Sequence, residues 1–348
     1  MGVPAVQPIR LMAPPKSGEA KRGAFDAFGR QMTYLRISLT DRCNFRCLYC
    51  MPAVGMKFQP RDEHLTDDEL LRLLGIFAKV GFTKFRLTGG EPTIRPHLVE
   101  LVRRMKALPG IEEISMTTNA LLLGRMADDL AEAGLSRVNV SIDTLDPVRF
   151  KLMTRGGRFD LVWQGIEAAD RAGMRPIKLN SVVLRGQNDH EVTDLAALTL
   201  DHDWQVRFLE IMPMEGVGDV ADEQLVTSEE TQERLEARFG PLEPVPTEPA
   251  DPARLWRIPG AAGTVGFISP VSAPFCAACN RVRLMADGQL RLCLLRPDEA
   301  DFRDMMRAGA DDRALERHLR AAIWRKPWGH GLAEGERNTV RGMSQIGG

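Results

Sequence analysis

The sequence lacks an excess of charge of either sign. Its 348 residues include 46 lysines and arginines and 47 aspartates and glutamates, so the formal net charge is −1. Proteins that bind nucleic acid through their overall charge have a strong basic excess, so we expect no nucleic-acid partner. Apolar runs near the roughly 18 residues that span a bilayer are also absent, which predicts no membrane partner.

A secretory signal is missing as well. The N-terminal stretch MGVPAVQPIRLMAPPKSGEAKRG contains no compact apolar segment, so we expect no signal peptide. Its proline, glycine and lysine content predicts a flexible leader over residues 1–30. The expected compartment is the reducing cytoplasm, where cysteines rarely form disulfides.

Residues 34–214 alternate between short β-rich runs and amphipathic helical stretches. We expect six strands, at YLRISLT, KFRLTG, EISMTT, VNVSID, IKLNSVV and VRFLEIM. This alternation is typical of βα units in a parallel sheet. Six units are too few for a complete eight-stranded barrel. The sequence therefore predicts an α/β fold, an incomplete (β/α)6 TIM-type barrel, over residues 31–220.

The alternation stops after Gly218, and residues 221–348 are predicted to form a C-terminal extension of the barrel. The proline-rich stretch FGPLEPVPTEPADPARLW is predicted to be a loop. The following RVRLMADGQLRLCLL is typical of a β-hairpin with Asp287 and Gly288 in its tight turn. Two helical stretches and the tail NTVRGMSQIGG complete the sequence.

Three of the six cysteines lie in the segment DRCNFRCLYCMP, at Cys43, Cys47 and Cys50. An odd number of thiols in a reducing compartment disfavours disulfides. Structural zinc usually takes four ligands, and no histidine lies in this segment. A [4Fe–4S] cluster normally takes four cysteines, so three would leave one iron open to another ligand. Residue chemistry favours iron–sulfur and leaves zinc open.

The spacing Cys-x3-Cys-x2-Cys after the first strand, with an aromatic residue before the last cysteine, resembles the radical S-adenosylmethionine (SAM) superfamily. The resemblance implies that the open iron binds SAM and that an electron from the cluster releases a 5′-deoxyadenosyl radical. It also implies SAM contacts by four residues: Tyr49, Gly90 in TGGEP, Ser141 and Met212. Taken alone, the glycine pair would be a turn and the methionine a core residue.

The other three cysteines form a second triad, Cys276, Cys279 and Cys293. Its spacing alone also allows a zinc knuckle completed by a distant residue. Together with the first triad and the segments RLTGGEP, SIDTLD, EIMPMEG and CNRVRL, it is similar to the GTP 3′,8-cyclase family. That resemblance implies a second [4Fe–4S] cluster, whose open iron binds the guanine of GTP.

The triphosphate of GTP requires positive charge, which guanidinium groups supply with two parallel hydrogen bonds. Arg281 and Arg283 alternate with Val282, so they lie on one face of the predicted hairpin. An exposed strand face would explain such arginines equally well. By resemblance, the substrate-binding positions are Arg36, Arg86, Thr117, Lys178, Arg281, Val282 and Arg283. The catalytic positions implied are Arg36, Arg281, Arg283, Gly347 and Gly348.

The resemblance implies a radical SAM cyclase that converts GTP to (8S)-3′,8-cyclo-7,8-dihydro-GTP, the first step of molybdenum cofactor biosynthesis. The 5′-deoxyadenosyl radical would abstract the 3′ hydrogen of GTP. The expected partners are an external one-electron reductant and a downstream cyclic pyranopterin monophosphate synthase. The sequence leaves the oligomeric state open, and a homodimer is one expectation. Two alternatives are a peptide-modifying radical SAM enzyme with an auxiliary cluster and a non-catalytic metal-binding module.

Overall fold

The computed structural model describes residues 23–54, 57–214, 221, 223–332 and 341–347. The described part begins with two short antiparallel strands, β1 (Ala24–Phe25) and β2 (Gln31–Met32). Ala24 and Asp26 are fully buried. The flexible leader predicted over residues 1–30 is therefore too long, because residues 23–30 pack against the rest of the protein. Residues 1–22 lie outside the described residues.

All six predicted strands are present, and each lies within two residues of its predicted bounds. They are β3 (Tyr34–Ser38), β4 (Lys84–Thr88), β5 (Glu113–Thr118), β6 (Arg137–Ser141), β7 (Lys178–Val183) and β8 (Gln205–Glu210). They pair in parallel in this order. The α/β fold class is confirmed.

The helices follow the strands as a parallel arrangement requires. They are α1 (Asp67–Lys79), α2 (Leu98–Lys106), α3 (Ala127–Glu132), α4 (Pro147–Met153), α5 (Phe159–Arg171), α6 (Val192–Asp201), α7 (Ser228–Phe239), α8 (Arg303–Arg307) and α9 (Asp312–Trp324). Helix α1 begins with the capping box expected from its sequence. The Glu69 amide donates to Thr66 Oγ1 at 3.2 Å, and the Thr66 amide donates to Glu69 Oε2 at 2.9 Å.

The C-terminal region adds strands to both edges of this sheet. They are β9 (Glu243–Val245), β10 (Ala253–Arg257), β11 (Thr264–Ile268), β12 (Arg281–Leu284), β13 (Gln289–Arg291) and β14 (Glu299–Asp301). Strand β11 pairs in parallel with β8, and β12 pairs in parallel with β3. The result is one 12-stranded sheet in the order β14-β13-β12-β3-β4-β5-β6-β7-β8-β11-β10-β9. In the described part of the chain its two edge strands do not pair, so the barrel is open.

Composition predicts a loop for the proline-rich stretch, but part of this stretch forms strands. It contains β9 and β10, which form the outer edge of the sheet beyond β11. Pro244 lies in the edge strand β9, where a missing backbone N–H is tolerated because one side of the strand has no ladder to complete. The hairpin predicted in RVRLMADGQLRLCLL is confirmed, because β12 and β13 pair antiparallel, with Gly288 at φ +80° in the turn between them.

The two faces of the sheet differ sharply in polarity. In β3, Leu35 and Ile37 are fully buried in the apolar core that packs under the helices. Alternate residues point to the opposite face, because side chains in a strand alternate with period two. That inner face carries Arg36, Arg86, Ser115, Arg137, Asn139, Lys178, Arg207, Arg281 and Arg283. A polar, cation-rich surface therefore lines the inside of the partial barrel.

None of the helices in the described residues combines the length and the apolar character that crossing a bilayer requires.

Candidate active site between two cysteine triads

The first cysteine triad lies on the loop that follows β3, at the carboxyl edge of the parallel sheet. Two backbone hydrogen bonds hold this loop against the end of α4. The Arg46 amide donates to the Thr154 carbonyl at 3.1 Å, and the Leu48 amide donates to the Met153 carbonyl at 3.0 Å. The loop lacks regular structure, and these contacts fix its path.

The three thiols of this loop are close enough to influence one another's ionisation. Burial raises the pKa of Cys43 to about 11 and the pKa of Cys50 to about 12. The pKa of Cys47 is raised well above its ordinary value by burial and then by the nearby Cys50, Asp143 and Cys43. A positively charged group that binds all three thiolates would relieve this cost.

The TGGEP segment packs directly against the cysteine loop. The Gly90 amide donates to the Thr40 carbonyl at 2.7 Å. A methyl group at Gly90 would lie only 2.1 Å from the Arg42 carbonyl oxygen, and one at Gly89, which has φ +147°, would lie 2.5 Å from the Thr40 oxygen. Both glycines are therefore required for the two backbones to approach, whether or not SAM also contacts Gly90.

Glu91 is an organising residue that the sequence reasoning missed. Its buried carboxylate accepts hydrogen bonds from the Thr93 amide (3.0 Å), the Thr93 and Thr118 hydroxyls (both 2.6 Å) and the Asn119 amide (2.7 Å). Asn119 Nδ2 in turn donates to Asn44 Oδ1 at 2.7 Å. Glu91 thus connects the ends of β4 and β5 to the cysteine loop. A glutamate beside a glycine pair gave no signal that distinguished it from a surface residue.

The residues predicted to contact SAM lie in different surroundings. The Tyr49 hydroxyl donates to Asp143 Oδ2 at 2.8 Å, and burial raises the pKa of Asp143 to about 6. Ser141, at the end of β6, is partly buried. Met212 packs in a small apolar cluster with Met214, Met285, Leu295 and Ile346.

The second triad lies at the opposite edge of the sheet. Cys276 begins a short 3-10 turn, Cys276–Ala278, with Cys279 at its end, and Cys293 follows β13. The pKa of Cys276 is raised by burial and also by the charges of Cys293 and Cys279. The pKa of Cys279 is lowered, because Lys326 and Arg281 outweigh the effect of its burial.

One strand pair connects the two triads. Cys279 lies two residues before the start of β12, whereas the first triad follows β3, and these strands are parallel neighbours with Arg283 beside Arg36. The triads therefore lie at opposite ends of strands that are roughly 17 Å long at about 3.3 Å per residue.

The donor set of each triad is three thiols, which a [4Fe–4S] cluster can take with one iron left open. Within the described ranges, no group of three or more His, Cys, Asp and Glu side chains is placed to hold a single metal ion. A [4Fe–4S] cluster bonds each thiolate to a different iron, so its ligands stand farther apart than the four ligands of one zinc ion. All six cysteines are free of disulfides.

Between the triads the inner face carries a group of buried cations. The pKa of Arg36 is lowered well below its ordinary value by burial and then by Arg283, with further contributions from Arg86 and Arg281. Arg86 and Arg281 both lie over the Tyr34 ring, at 5.6 and 5.7 Å from its centroid. The structure thus brings together arginines from β3, β4 and β12 that the sequence could only place on separate strands.

Lys178 and Arg207 extend this cationic surface along β7 and β8. Burial lowers the pKa of Lys178 to about 7, with Arg207, Arg137 and Arg86 adding repulsion. Arg207 is 5% exposed, and its Nε donates to Asn180 Oδ1 at 2.8 Å. The sequence reasoning missed Arg207. Its alternation with the buried Val206 and Phe208 was the available signal.

Several buried polar atoms face this space without a protein partner. Arg207 Nη2, Asn139 Oδ1 and Ser115 Oγ accept or donate no hydrogen bond among the described residues. Buried polar atoms are nearly always hydrogen-bonded, so we expect these atoms to bind a polar ligand or water. Thr117 lies on the same face of β5 as Ser115 and pairs with Asn139.

The C-terminal tail also enters this space. The Gly347 carbonyl accepts hydrogen bonds from Arg36 Nη2 (2.9 Å), Arg283 Nη1 (3.0 Å) and Thr88 Oγ1 (3.0 Å). Gly348 was also predicted as a catalytic residue and lies outside the described residues. The side chain of Val282 points the other way, into the apolar core at 1% exposure, so only its backbone faces the arginines.

Two family models match the chain in succession. The Radical SAM superfamily model covers residues 37–199, and the Molybdenum Cofactor Synthesis C model covers residues 204–332. A crystal structure of Streptococcus suis SuiB bound to S-adenosylmethionine superposes with a TM-score of 0.60 at 14% identity, over 93% of this chain and 72% of SuiB. At that identity the likeness concerns the fold alone. The fold and the first cysteine motif define a radical SAM protein.

Curated relatives identify the branch of that superfamily. The GTP 3′,8-cyclase of Moorella thermoacetica is 46% identical over 93% of this chain and 99% of its own length. The Heliobacterium modesticaldum GTP 3′,8-cyclase is 48% identical with the same coverage. The mitochondrial GTP 3′,8-cyclase of Arabidopsis thaliana is 42% identical over 93% of this chain and 83% of its own. The chain belongs to the GTP 3′,8-cyclase family.

Proposed function

We propose that this chain converts GTP to (8S)-3′,8-cyclo-7,8-dihydro-GTP in the first step of molybdenum cofactor biosynthesis. The observation that carries the proposal is the strand pair β3–β12, which has a cysteine triad at each end and Arg36 and Arg283 between them. This arrangement gives two ligands separate anchors and surrounds the space between them with positive charge. Membership in the GTP 3′,8-cyclase family supports the same reaction.

Cys43, Cys47 and Cys50 would hold the cluster that binds SAM. When bound, this cluster and SAM supply one-electron cleavage of a sulfur–carbon bond, which yields a 5′-deoxyadenosyl radical. Tyr49, Gly90, Ser141 and Met212 would contact SAM. Glu91 fixes the TGGEP turn beside the loop through its hydrogen bonds to Thr93, Thr118 and Asn119, so it would hold Gly90 in place.

Cys276, Cys279 and Cys293 would hold the second [4Fe–4S] cluster, which makes a total of two. Because the triad supplies three thiolates, such a cluster would keep one iron open, and the guanine of GTP would occupy that position. Because Cys279 lies two residues before Arg281, a guanine bound here would direct its ribose and phosphates toward the cationic inner face.

The triphosphate would lie along the inner face of the sheet. Arg36, Arg86, Thr117, Lys178, Arg281, Arg283 and the backbone of Val282 would bind it, and the buried Arg207 joins this set. One guanidinium group can donate two parallel hydrogen bonds to the oxygens of a phosphate, and burial excludes the water that would compete for them. Arg207 Nη2 is buried and has no hydrogen-bond partner among the described residues, so it is a donor available to the triphosphate.

In the proposed reaction, GTP loses its 3′ hydrogen atom, and C3′ then bonds to C8 of the guanine. One electron and one proton complete the product. Arg36, Arg281, Arg283, Gly347 and Gly348 would act around this step. The Gly347 carbonyl lies against Arg36 and Arg283, so the tail would close the space around the reacting nucleotide.

The proposed reaction needs partners that supply electrons and remove product. An external one-electron reductant would deliver electrons to the first cluster, and a cyclic pyranopterin monophosphate synthase would consume the product. A reducing cytoplasm suits six free thiols. A homodimer is the assembly we would test first.

Anaerobic incubation with SAM, GTP and a strong reductant tests the function. We expect 5′-deoxyadenosine to accumulate only when GTP is present, together with a product that has the mass of GTP. Omission of GTP is the control. A fully reconstituted protein that releases 5′-deoxyadenosine equally with and without GTP would contradict the proposal.

A further inference from the structure

The second cysteine triad is distributed over two loops, and a third segment, residues 326–329, packs beside it. A methyl group placed at Gly329 would lie 3.9 Å from Cys276 Sγ and 3.8 Å from Cys276 Cβ. Arg296 Nε donates to the Gly329 carbonyl at 2.8 Å. Residues 326–329 therefore form one wall of the site, although they contain no cysteine.

Arg30 ties this wall to the loop that carries Cys276. Its Nη1 donates to the Cys276 carbonyl at 2.7 Å and to the Trp328 carbonyl at 2.8 Å, and its Nη2 donates to the Pro327 carbonyl at 2.6 Å. A single planar guanidinium thus joins two segments that regular secondary structure does not connect. Only 8% of the Arg30 side chain is exposed.

The orientation of Arg30 is itself fixed from three sides. Its Nε donates to Asp26 Oδ2 at 2.6 Å, and the Asp26 side chain is fully buried. The guanidinium carbon lies 5.4 Å from the Phe28 ring centroid and 5.2 Å from that of Trp328. A buried ion pair with stacked aromatic rings costs much more to break than an exposed one. The contact is therefore a rigid tie.

Lys326 ties the same wall to the third cysteine. The side chain is 3% exposed, and its ammonium group donates to the Leu292 carbonyl, the residue before Cys293. Arg291 Nε donates to the Cys293 carbonyl at 3.1 Å. The wall is thus connected through Arg30 to the Cys276 loop and through Lys326 to the Cys293 loop.

We propose that Arg30 and Lys326 are positioning residues of the second triad, which hold its two cysteine loops at a fixed separation through residues 326–329. This inference deepens the second-cluster part of the proposed function. Groups that orient metal ligands typically change metal affinity by about 10- to 100-fold when removed. Arg30 lies in the N-terminal part of the chain, before either family model begins, so its part in this site follows from the contacts alone.

The test uses the full-length chain in two forms. In the metal-free form, alkylation of each cysteine by iodoacetamide is followed by peptide mass spectrometry. In a reconstituted C43A/C47A/C50A background, where bound iron reports the second triad alone, transfer of iron to a chelator is followed by absorbance. The variants are Arg30→Gln, Arg30→Lys and Lys326→Met. The double variant Arg30→Gln/Asp26→Asn also removes the charge of Asp26, so that no buried carboxylate is left unpaired when Arg30 is replaced.

Arg320→Gln is the matched control. Arg320 Nη1 donates to the Gly23 carbonyl at 2.7 Å, so it anchors the same N-terminal segment, and its hydrogen bonds go to Gly23 and Glu316 rather than to a cysteine loop. This variant separates anchoring of the segment from the contact of Arg30 with the triad.

We expect faster alkylation of Cys276 in Arg30→Gln and of Cys293 in Lys326→Met, with the rates at Cys43 and Cys47 unchanged. Iron loss should be about tenfold faster in both, Arg30→Lys should be intermediate, and Arg320→Gln should match the parent. Unchanged rates in both assays, or equal acceleration at Cys43, would overturn the positioning role. If the parent background binds no iron, the two-cluster proposal fails, and the alkylation rates still decide the role of Arg30 and Lys326.

Discussion

Arg36 donates a hydrogen bond to the Gly347 carbonyl at 2.9 Å, across 311 positions of sequence. The strand that precedes the first cysteine triad is thereby connected to the C-terminal tail. Arg36 is also one of the residues proposed to bind the triphosphate. In the proposed complex the tail and the triphosphate would both contact Arg36, so a displaced tail should change how the nucleotide is held.

Replacement of Gly347 by alanine should impair turnover while leaving the fold intact. Gly347 has φ +79°, and a methyl group there would lie 2.8 Å from Thr88 Cγ2. The tail should therefore shift away from Arg36 and Arg283. Small displacements in a reacting site can cost about 100-fold in rate, so we expect a loss of that order in the rate of GTP-dependent 5′-deoxyadenosine release.

Gly309→Ala is the matched control for this substitution. Gly309 has φ +90°, and its methyl position has no described atom within 4 Å. The control carries the same backbone strain without a steric clash in the site. We expect it to lower the melting temperature slightly and to keep full turnover. Similar turnover in the two variants would contradict a role for the tail.

Binding of GTP should become weaker as the pH rises above 7, because Lys178 loses its proton. Burial lowers the pKa of Lys178 to about 7, and a triphosphate would raise that pKa again. Binding near pH 8 should therefore take up a proton. Each pH unit in this range should cost up to about tenfold in affinity. Calorimetry in buffers of different ionisation enthalpy measures the proton uptake directly.

Lys178→Arg supplies the comparison, since an arginine keeps its charge over this range. The γ-phosphate itself titrates at about pH 6, and the variant retains that contribution. The proton uptake at pH 8 should disappear in the variant. Equal proton uptake in both proteins would show that Lys178 does not contact the triphosphate.

The lowered pKa of Lys178 also affects the stability of the protein without GTP, and there the effect of pH has the opposite sign. The pKa of Lys178 lies below its ordinary value of 10.5 in the folded state. Between about pH 7 and pH 10.5 the unfolded chain therefore binds more protons, so the contribution of Lys178 to the free energy of unfolding rises with pH. Denaturant titrations of parent and Lys178→Arg over this range should differ in slope with pH.

Replacement of Cys276, Cys279 and Cys293 by alanine should remove about half of the bound iron, because each cube contains four irons. Release of cyclised product should stop, since the guanine would lose its anchor. Iron analysis and electron paramagnetic resonance after reconstitution provide the measurement. An iron content equal to that of the parent protein would contradict the second cluster.

Glu91→Gln should destabilise the protein markedly. The carboxylate accepts four hydrogen bonds from Thr93, Thr118 and Asn119, and the amide nitrogen of glutamine would face donors. A buried donor left without a partner costs about 1–3 kcal/mol, and more where charge is involved. Denaturant unfolding checks the prediction. Glu69→Gln, at an exposed capping box and surface ion pair, should cost less than about 1 kcal/mol.

The strands and the first helix were predictable because their signals are local. Apolar residues alternate along β3 in the printed sequence, and Thr66 and Glu69 form a capping box at their expected spacing. The placement of β9, β10 and β11 was not predictable in this way. Their pairing depends on partners far along the chain, and proline in β9 argues for a loop until its edge position is known.

Motif spacing predicted part of the candidate site. The residues that belong to the site only because the fold brings them close were not predictable. The two cysteine triads follow from motif spacing, whereas Arg36 follows only from the family resemblance. Arg207 and Glu91 were missed, because the alternation of Arg207 with Val206 and Phe208 also suits an exposed strand face, and a glutamate in a turn resembles a surface residue. Lys326 and Arg30 belong to the proposed site only because the fold places them beside the second triad, and no local sequence pattern predicts that proximity.

We expect bound GTP to stabilise the folded protein, because the proposed triphosphate site is a group of buried cations. Arg36, Arg283 and Arg207 are buried, and each of them is repelled by neighbouring arginines: Arg36 by Arg283, Arg283 by Arg281, and Arg207 by Arg86. A ligand that binds only the folded state stabilises it by RT ln(1 + [L]/Kd), about 2.7 kcal/mol at 100 times Kd. GTP would therefore raise the free energy of unfolding of the enzyme that uses it as a substrate. The lifetime of the folded enzyme would then follow the abundance of its nucleotide.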